Sequence, residues 1–163
     1  MPGLNKKNKK GKKTSHSNII ATNKKALRDF FIMDSYEAGI ELWGSEVKSV
    51  RDHRVNLKDS YGRLKNGELF LHNLHISPYA NSRIEEMDPR RSRKLLMHRK
   101  EIDRLQGKLI DKSLTLVPLK LYFKKNRVKA EIALAKGKNR RDKRMDIIEK
   151  EHSHEIKRAL KKY

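Results

Sequence analysis

Along much of this chain, apolar and polar residues alternate with the two-residue period of a strand that is covered on one face. The clearest run ends at residue 135. It places Val128, Ala130, Ile132 and Leu134 on one side and Lys129, Glu131 and Ala133 on the other. Tyr36, Ala38, Ile40 and Leu42 alternate in the same way with Glu37, Gly39, Glu41 and Trp43, which predicts a strand over 36–43. Residues 29–34 form a separate strand candidate just before it. Asn66-Gly67 divides two further runs, 59–65 and 68–76. That dipeptide predicts a hairpin, because a type I′ turn needs positive φ at both central residues. A second hairpin is predicted from 114–123, through a turn near Lys125-Asn126, into 127–135.

Helical periodicity is scarcer. Residues 23–28 predict a short helix with Ala26 and Leu27 inward. Residues 45–52 predict another, capped by Ser45, with Val47 and Val50 three apart. Residues 93–106 read as a helix with Leu95, Ile102 and Leu105 on one stripe and Gly107 just past its end. Five or six short strands with one or two interposed helices predict a mostly β fold: a small, closed, mostly antiparallel barrel. A helix between strands fits an oligonucleotide-binding (OB) barrel. The pattern fits an SH3-like barrel or a small α+β sandwich as well.

The alternation stops abruptly after Ala135. Residues 136–144 hold six basic side chains in nine positions. Beyond them Met145, Ile148, His152, Ile156, Ala159 and Tyr163 are spaced 3, 4, 4, 3 and 4 apart, one helical stripe. The stripe is too thin to fold alone, so this tail is predicted to become ordered on a partner. Residues 1–17 are lysine-rich with almost nothing apolar and read as disordered. The expected organisation is a disordered basic arm over 1–17, a barrel over 18–135 and a basic tail over 136–163.

Charge then narrows the partner. The chain has 41 Lys and Arg against 20 Asp and Glu, a net +21. The arm holds +6, the barrel +9 from 24 basic and 15 acidic residues, and the tail +6 from 11 and 5. Every part is basic, so the field is not an effect of the ends. Such a field attracts phosphate backbones. It exceeds the roughly 2–8 charges that serve solubility in a small domain. An anionic membrane or an acidic protein is the alternative partner. There is no cysteine, which excludes disulfides, thiolate zinc sites and a cysteine nucleophile and fits a reducing, cytoplasmic setting. No apolar run exceeds four residues, and the first residues lack the apolar stretch of a secretory signal.

Catalytic chemistry finds no foothold. His72 and His75, three apart in a predicted strand, face opposite sides. His152 and His154, two apart in a predicted helix, point roughly 200° apart. Glu85, Glu86 and Asp88 sit beside Arg90, Arg91 and Arg93 and read as a charge-balanced turn rather than a nuclease metal site. Phosphate-loop, serine-elbow and zinc-protease motifs are absent. The chain is expected to be a non-enzyme without metal or cofactor.

A series of short motifs resembles one family. The stretch Leu42-Trp43-Gly44-Ser45-Glu46-Val47-Lys48-Ser49-Val50-Arg51 is similar to the SsrA-binding protein, or small protein B, family. The similarity continues in order through Asn23-Lys24-Lys25-Ala26, Tyr36-Glu37-Ala38-Gly39, Asp59-Ser60-Tyr61, Asp88-Pro89, Arg93-Lys94-Leu95-Leu96 and Val117-Pro118-Leu119-Lys120-Leu121-Tyr122-Phe123. It ends with Ala135-Lys136-Gly137-Lys138 and Asp142-Lys143-Arg144, and covers 19–151.

The resemblance implies an OB-like barrel that binds the tRNA-like domain of transfer-messenger RNA, the RNA that rescues stalled bacterial ribosomes. It implies a tail that turns helical in the empty mRNA channel near the small-subunit decoding centre. Elongation factor Tu and alanyl-tRNA synthetase act on the same RNA. By this resemblance Asn23, Glu37 and Leu96 face the RNA on one surface. Lys24, Lys25, Lys48, Arg51, Lys94, Lys124, Lys125 and Lys129, scattered among the motifs, are the expected phosphate contacts. In the tail, Gly137, Lys138, Asp142, Lys143 and Arg144 match the family motif, and Asp142 is expected to cap the helix. Arg141 stands where relatives often carry histidine or an aromatic residue, and its guanidinium plane can also stack on a base. His152 stands in place of a frequent aromatic residue, and Ile148 in place of a basic one. A general ribosomal or RNA-chaperone protein would share the basicity and is the rival expectation.

Overall fold

Backbone pairing closes this chain into a ring. The computed structural model describes residues 18–79 and 88–160. Its elements are β1 (Ile19–Thr22), α1 (Lys24–Asp29), β2 (Phe30–Ile40), α2 (Gly44–Arg51), β3 (Val55–Asn56), β4 (Tyr61–Lys65), β5 (Glu68–His72), β6 (His75–Ile76), β7 (Arg93–Leu96), α3 (Arg99–Lys108), β8 (Leu114–Lys124), β9 (Arg127–Gly137) and α4 (Arg140–Leu160). The order β8–β4–β5–β7–β2–β9 returns to β8, and the pairs are antiparallel. β1 lies along the outer half of β8, and β3 and β6 form a small separate sheet. This is the expected mostly antiparallel OB-like barrel with short helices.

The two predicted hairpin turns form as their residues require. Asn66 and Gly67 have φ of 51° and 71°, and Lys125 and Asn126 have 48° and 60°. Inward residues from every strand of the ring meet in one core, among them Ala38, Leu69, Leu95, Leu116, Leu121 and Ile132. A smaller apolar cluster lies outside the ring, where Ala26 of α1 packs with Val117, Leu119, Ala133 and Ala135. Ala133, expected on a polar face, is therefore buried because α1 covers that patch of β9.

Several boundaries differ from expectation. The two strand candidates at 29–34 and 36–43 are one strand, β2, ending at Ile40. Its register against β9 slips between Ile32 and Asp34, and that bulge interrupts the alternation. Residues 93–96 are strand rather than helix: Arg93 and Leu95 point inward, and Lys94 and Leu96 outward. The helix begins only at Arg99, and Gly107 lies within its last turn. α2 is capped by a carboxylate rather than by Ser45, since Glu46 Oε2 accepts the Trp43 N–H at 2.9 Å. His72 and His75 fall in different strands. β9 runs on to Gly137, because Gly137 and Lys136 pair with Phe30 and Phe31.

One polar group inside the fold is fully engaged. Glu46 is 4% exposed and Arg93 fully buried. Glu46 Oε1 lies 2.7 Å from Arg93 Nη2, and its Oε2 lies 2.5 Å from Arg91 Nη2. Arg93 also donates to the carbonyls of Leu74, Arg91 and Pro89. Arg91 stacks over Trp43 with 4.1 Å to the ring centre. The cluster thus ties α2 to both ends of the segment between β6 and β7. Glu85 and Glu86 of the acidic run in that segment, the 1–17 arm and Tyr163 lie outside the described residues.

Candidate RNA interface

Alternation in four neighbouring strands builds one outward surface. Leu96 of β7 pairs with Gly39 of β2, Gly39 with Lys129 of β9, and Lys129 with Tyr122 of β8. The next rung is Glu37, Glu131 and Lys120. Because side chains two apart share a face, all of these project from the same side of the sheet. Leu96 is 53% exposed. Gly39 makes room beneath it: a Cβ at 39 would lie 3.2 Å from the Leu96 Cβ. Glu37, Leu96 and Lys129 line one shallow depression together with Met97, His98 and Glu101.

Glu37 is the chemical centre of this surface. Its carboxylate accepts the Tyr122 hydroxyl at 2.5 Å and the Lys124 ammonium at 2.8 Å through both oxygens. The hydrogen bond from Lys124, and then that from Tyr122, hold the Glu37 carboxyl below its ordinary range. Burial, and then Glu37 itself, push the Tyr122 phenol up. Glu37 therefore stays ionised and Tyr122 stays a donor across physiological pH. An exposed carboxylate fixed in this way has lone pairs left to accept from a ribose hydroxyl or a base amine, groups that cations cannot read.

The other expected contacts are spread more widely. Lys94 projects on the same outer side as Leu96 and pairs with Glu68. Lys124 and Lys125 stand at the end of β8 and in the turn to β9, both exposed. Lys24 is exposed on the first turn of α1, and Lys25 pairs with Asp59 at 2.5 Å. Lys48 and Arg51 are exposed on α2, a different element, with Lys48 Nζ 5.3 Å from the Tyr79 ring centre.

Asn23 is not on the outer surface with Glu37 and Leu96. It is 5% exposed, and its amide is committed inside the fold. Its Nδ2 donates to the carbonyls of Leu57 and Pro118 at 3.1 and 3.0 Å, and its Oδ1 accepts the Ala26 N–H at 3.0 Å. Asn23 thus bridges the segment before β4 to β8, whose ladder slips just past Pro118, and caps α1 at the same time. Sequence reading missed Tyr122 and Lys120 as members of the interface, although their alternation with Lys124 along β8 was a usable signal.

The tail motif splits between root and helix. Gly137 closes β9, and Lys138 and Asn139 link it to α4. Asp142 Oδ2 accepts the Asn139 N–H at 3.0 Å, the expected cap. Lys138 reaches Asp146 at 2.6 Å, and Lys143 lies 3.4 Å from Asp29. Arg141, Arg144, Ile148 and His152 are exposed along a helix with no buried residue. Among the described residues no group of three metal-ligating side chains comes together, and no helix is long and apolar enough to cross a membrane.

The family model described as SmpB protein matches residues 20–162. The chain belongs to the SmpB family. Curated relatives called SsrA-binding protein agree over nearly their full length. That of Caldicellulosiruptor saccharolyticus is 53% identical over 145 residues, covering 89% of this chain and 92% of the relative. That of Geobacter sulfurreducens is 54% identical over 143 residues, covering 88% and 94%. That of Limosilactobacillus reuteri is 50% identical over 155 residues, covering 95% and 99%. A solved SmpB structure, described as "tmRNA-SmpB: a journey to the center of the bacterial ribosome", superposes with a TM-score of 0.63 at 45% identity. It covers 78% of this chain and 93% of that one. The motifs from Leu42 to Arg51 and from Asp142 to Arg144 thus fall within the matched span of the SmpB family.

Proposed function

We propose that this protein binds the tRNA-like domain of transfer-messenger RNA through the Glu37 face and, with that RNA, rescues stalled ribosomes. Membership of the SmpB family supports the reading, and so does a relative seen with this RNA on the ribosome. The observation that carries it is the hydrogen-bonded Glu37 carboxylate beside exposed Leu96 on an otherwise cationic protein. Lys24, Lys25, Lys48, Arg51, Lys94, Lys124, Lys125 and Lys129 supply phosphate attraction, and Glu37 supplies discrimination. The α4 tail enters the mRNA channel with Lys138, Arg141, Lys143 and Arg144 toward ribosomal RNA. Elongation factor Tu and alanyl-tRNA synthetase meet the protein only through the shared RNA. The protein acts in the cytoplasm as a non-enzymatic RNA-binding factor.

The test is a titration with the tRNA-like domain and with a generic duplex of equal length. Wild type prefers the first, and Glu37→Gln loses affinity for it more than for the duplex. The melting temperature hardly moves, because Glu37 is exposed on the outer face of the sheet. Equal losses for both RNAs, or a melting drop of many degrees, refute the assignment. No preference in the wild type favours a general RNA chaperone instead.

Salt gives an independent check on the phosphate contacts. Neutralising phosphates releases counterions, so about 6 contacts imply a loss of about 10³ in affinity between 50 and 200 mM salt, using the duplex-DNA case. A flat salt profile contradicts a phosphate-dominated interface.

A further inference from the structure

We propose that the open end of the β4–β5 hairpin is a second RNA site, which takes an unpaired nucleotide with its base on Tyr61 and its phosphate beside Lys58 and Arg90. β4 and β5 are the two strands of the ring that the Glu37 surface leaves out. Outward on β4 stand Tyr61, Arg63 and Lys65, paired with His72, Phe70 and Glu68 on β5. Aromatic and cationic side chains are mixed on this face, the combination that stacks bases and tracks phosphates in single-strand binders.

The rings are held ready. Tyr61 and His72 pair across the hairpin, with ring centres 5.3 Å apart and planes 17° from parallel. His72 Nδ1 shares a hydrogen bond with Ser92 Oγ at 2.8 Å, which fixes the imidazole and steadies the phenol stacked on it. The imidazole covers one face of the phenol, yet Tyr61 is still 42% exposed. It also borders an open cleft beside α1, which gives a base room. A cross-strand aromatic pair steadies the sheet, but that duty does not require so much of the ring in water. A base laid on this platform meets a side chain already ordered, and every base has a face to stack.

A polar cavity of about 360 Å³ opens at the same end of the hairpin, lined by Asn56, Lys58, Asp59, Asn73, His75 and Arg90. Asn73 Nδ2 donates to the Asp59 carbonyl at 3.4 Å and ties the two chain ends of the hairpin together. Asp59 is the one carboxylate in that lining, and Lys25 already neutralises it at 2.5 Å. The hydrogen bond from Lys25 holds the Asp59 carboxyl below its ordinary range, and the charges of Lys25, Lys58 and Arg90 add to the effect. Asp88 engages only the Arg90 backbone N–H, at 2.8 Å. Among the described residues the Lys58 ammonium and the Arg90 guanidinium have no ion-pair partner. Two uncommitted cations around one cavity suit a phosphate, which a stacked nucleotide brings with it. An acidic protein side chain would satisfy the cavity but not the ring, so the combination selects a nucleotide. The inference goes beyond the proposed function and needs neither Glu37 nor the tail.

The probe is oligouridine of about 8 nucleotides, within the site sizes of single-strand binders. It is titrated against the full-length chain at about 0.15 M salt, where charges more than about 8 Å away are largely screened. A duplex of the same length is the control. Tyr61→Leu is expected to weaken oligouridine binding by about 5- to 150-fold and duplex binding by less than about twofold, while Tyr61→Phe keeps the platform and stays within about twofold of wild type. Lys58→Gln with Arg90→Gln lowers the slope of log affinity against log salt by about 1. In the wild-type complex a nuclear Overhauser cross-peak joins the uracil protons to the Tyr61 ring. Unchanged oligouridine affinity in Tyr61→Leu overturns the site, and so does an equal loss for the duplex. If Tyr61→Leu lowers the melting temperature by many degrees, the wild-type cross-peak decides: its presence supports the site and its absence overturns it. Oligouridine has no tRNA-like fold, so its binding is read apart from the preference tested with Glu37→Gln, and the two readings fail separately.

Discussion

Removal of residues 138–163 is expected to abolish tagging on stalled ribosomes while RNA binding by the barrel stays within a few-fold of wild type. The two halves of this expectation have separate physical grounds. No residue of α4 is buried, and the ring is complete without it. Cutting after Gly137 removes the Lys138 N–H bond to Asp29 and the Lys143 ion pair, but no strand pairing. The Glu37 surface, four strands wide, is left intact. What goes is the cationic helix that this protein is proposed to place in the mRNA channel. The measurement is a reconstituted tagging reaction alongside a binding titration on the same preparation. Residual tagging near wild type, or loss of binding by orders of magnitude, contradicts the division of labour. The cut must fall after Gly137: a stop after Ala135 removes the pairing of Lys136 and Gly137 with β2 and unravels the end of the barrel.

Glu46→Gln is expected to be the most destabilising single exchange in the barrel. The substitution leaves Arg93, fully buried, without its counterion and weakens the hold on Arg91. Breaking one partner of a buried ion pair typically costs about 3–5 kcal/mol, which lowers the melting temperature of a domain this size by roughly 10 °C or more. Thermal or denaturant unfolding reads this directly, and a change below about 1 kcal/mol contradicts the account.

Glu46 also predicts an acid limb. Burial pushes its carboxyl up, but Arg91, the Trp43 N–H and Arg93 outweigh that and hold it below its ordinary range. The native state therefore binds this proton less readily than the unfolded chain. Its contribution is full above the unfolded pKa, about 4.3, and is lost as pH falls through the depressed native value. In Glu46→Gln the acid limb is shallower than in wild type.

Barrel class, both hairpins and the charged tail were legible because each rests on local chemistry: a two-residue period, Asn-Gly, a run of cations. Tertiary pairings were not legible in the same way. Residues 93–96 lie beside helix-compatible sequence, and only the pairing of Leu95 with Ile40 and Leu69 makes them strand. Glu46 looked like an ordinary first-turn acid until Arg93, far along the chain, was found beside it. Asn23 was expected on the RNA face because its motif resembles the family's. It is inside because its amide bridges two distant segments, through the Leu57 and Pro118 carbonyls, while its oxygen caps α1. In the interface, Glu37 and Leu96 were visible from motif similarity, whereas Tyr122 required knowing that β8 and β2 reach each other across β9.

Closure of the ring has a consequence for how the chain is made. β2 emerges from synthesis early, yet its long partner β9 is the last of the described strands to be translated, and β4, already paired with β5, meets its other neighbour only when β8 arrives. Until residue 137 is available, β2 and β8 each present an unpaired backbone edge to the surroundings, the condition that favours aggregation. The pairings that seal the barrel also bring together residues far apart in sequence, which slows folding once the chain is complete. An interrupted nascent chain of this protein therefore has no stable barrel to fall back on. Only the finished strand pair at its far end converts the open sheet into a closed one, in a single late step.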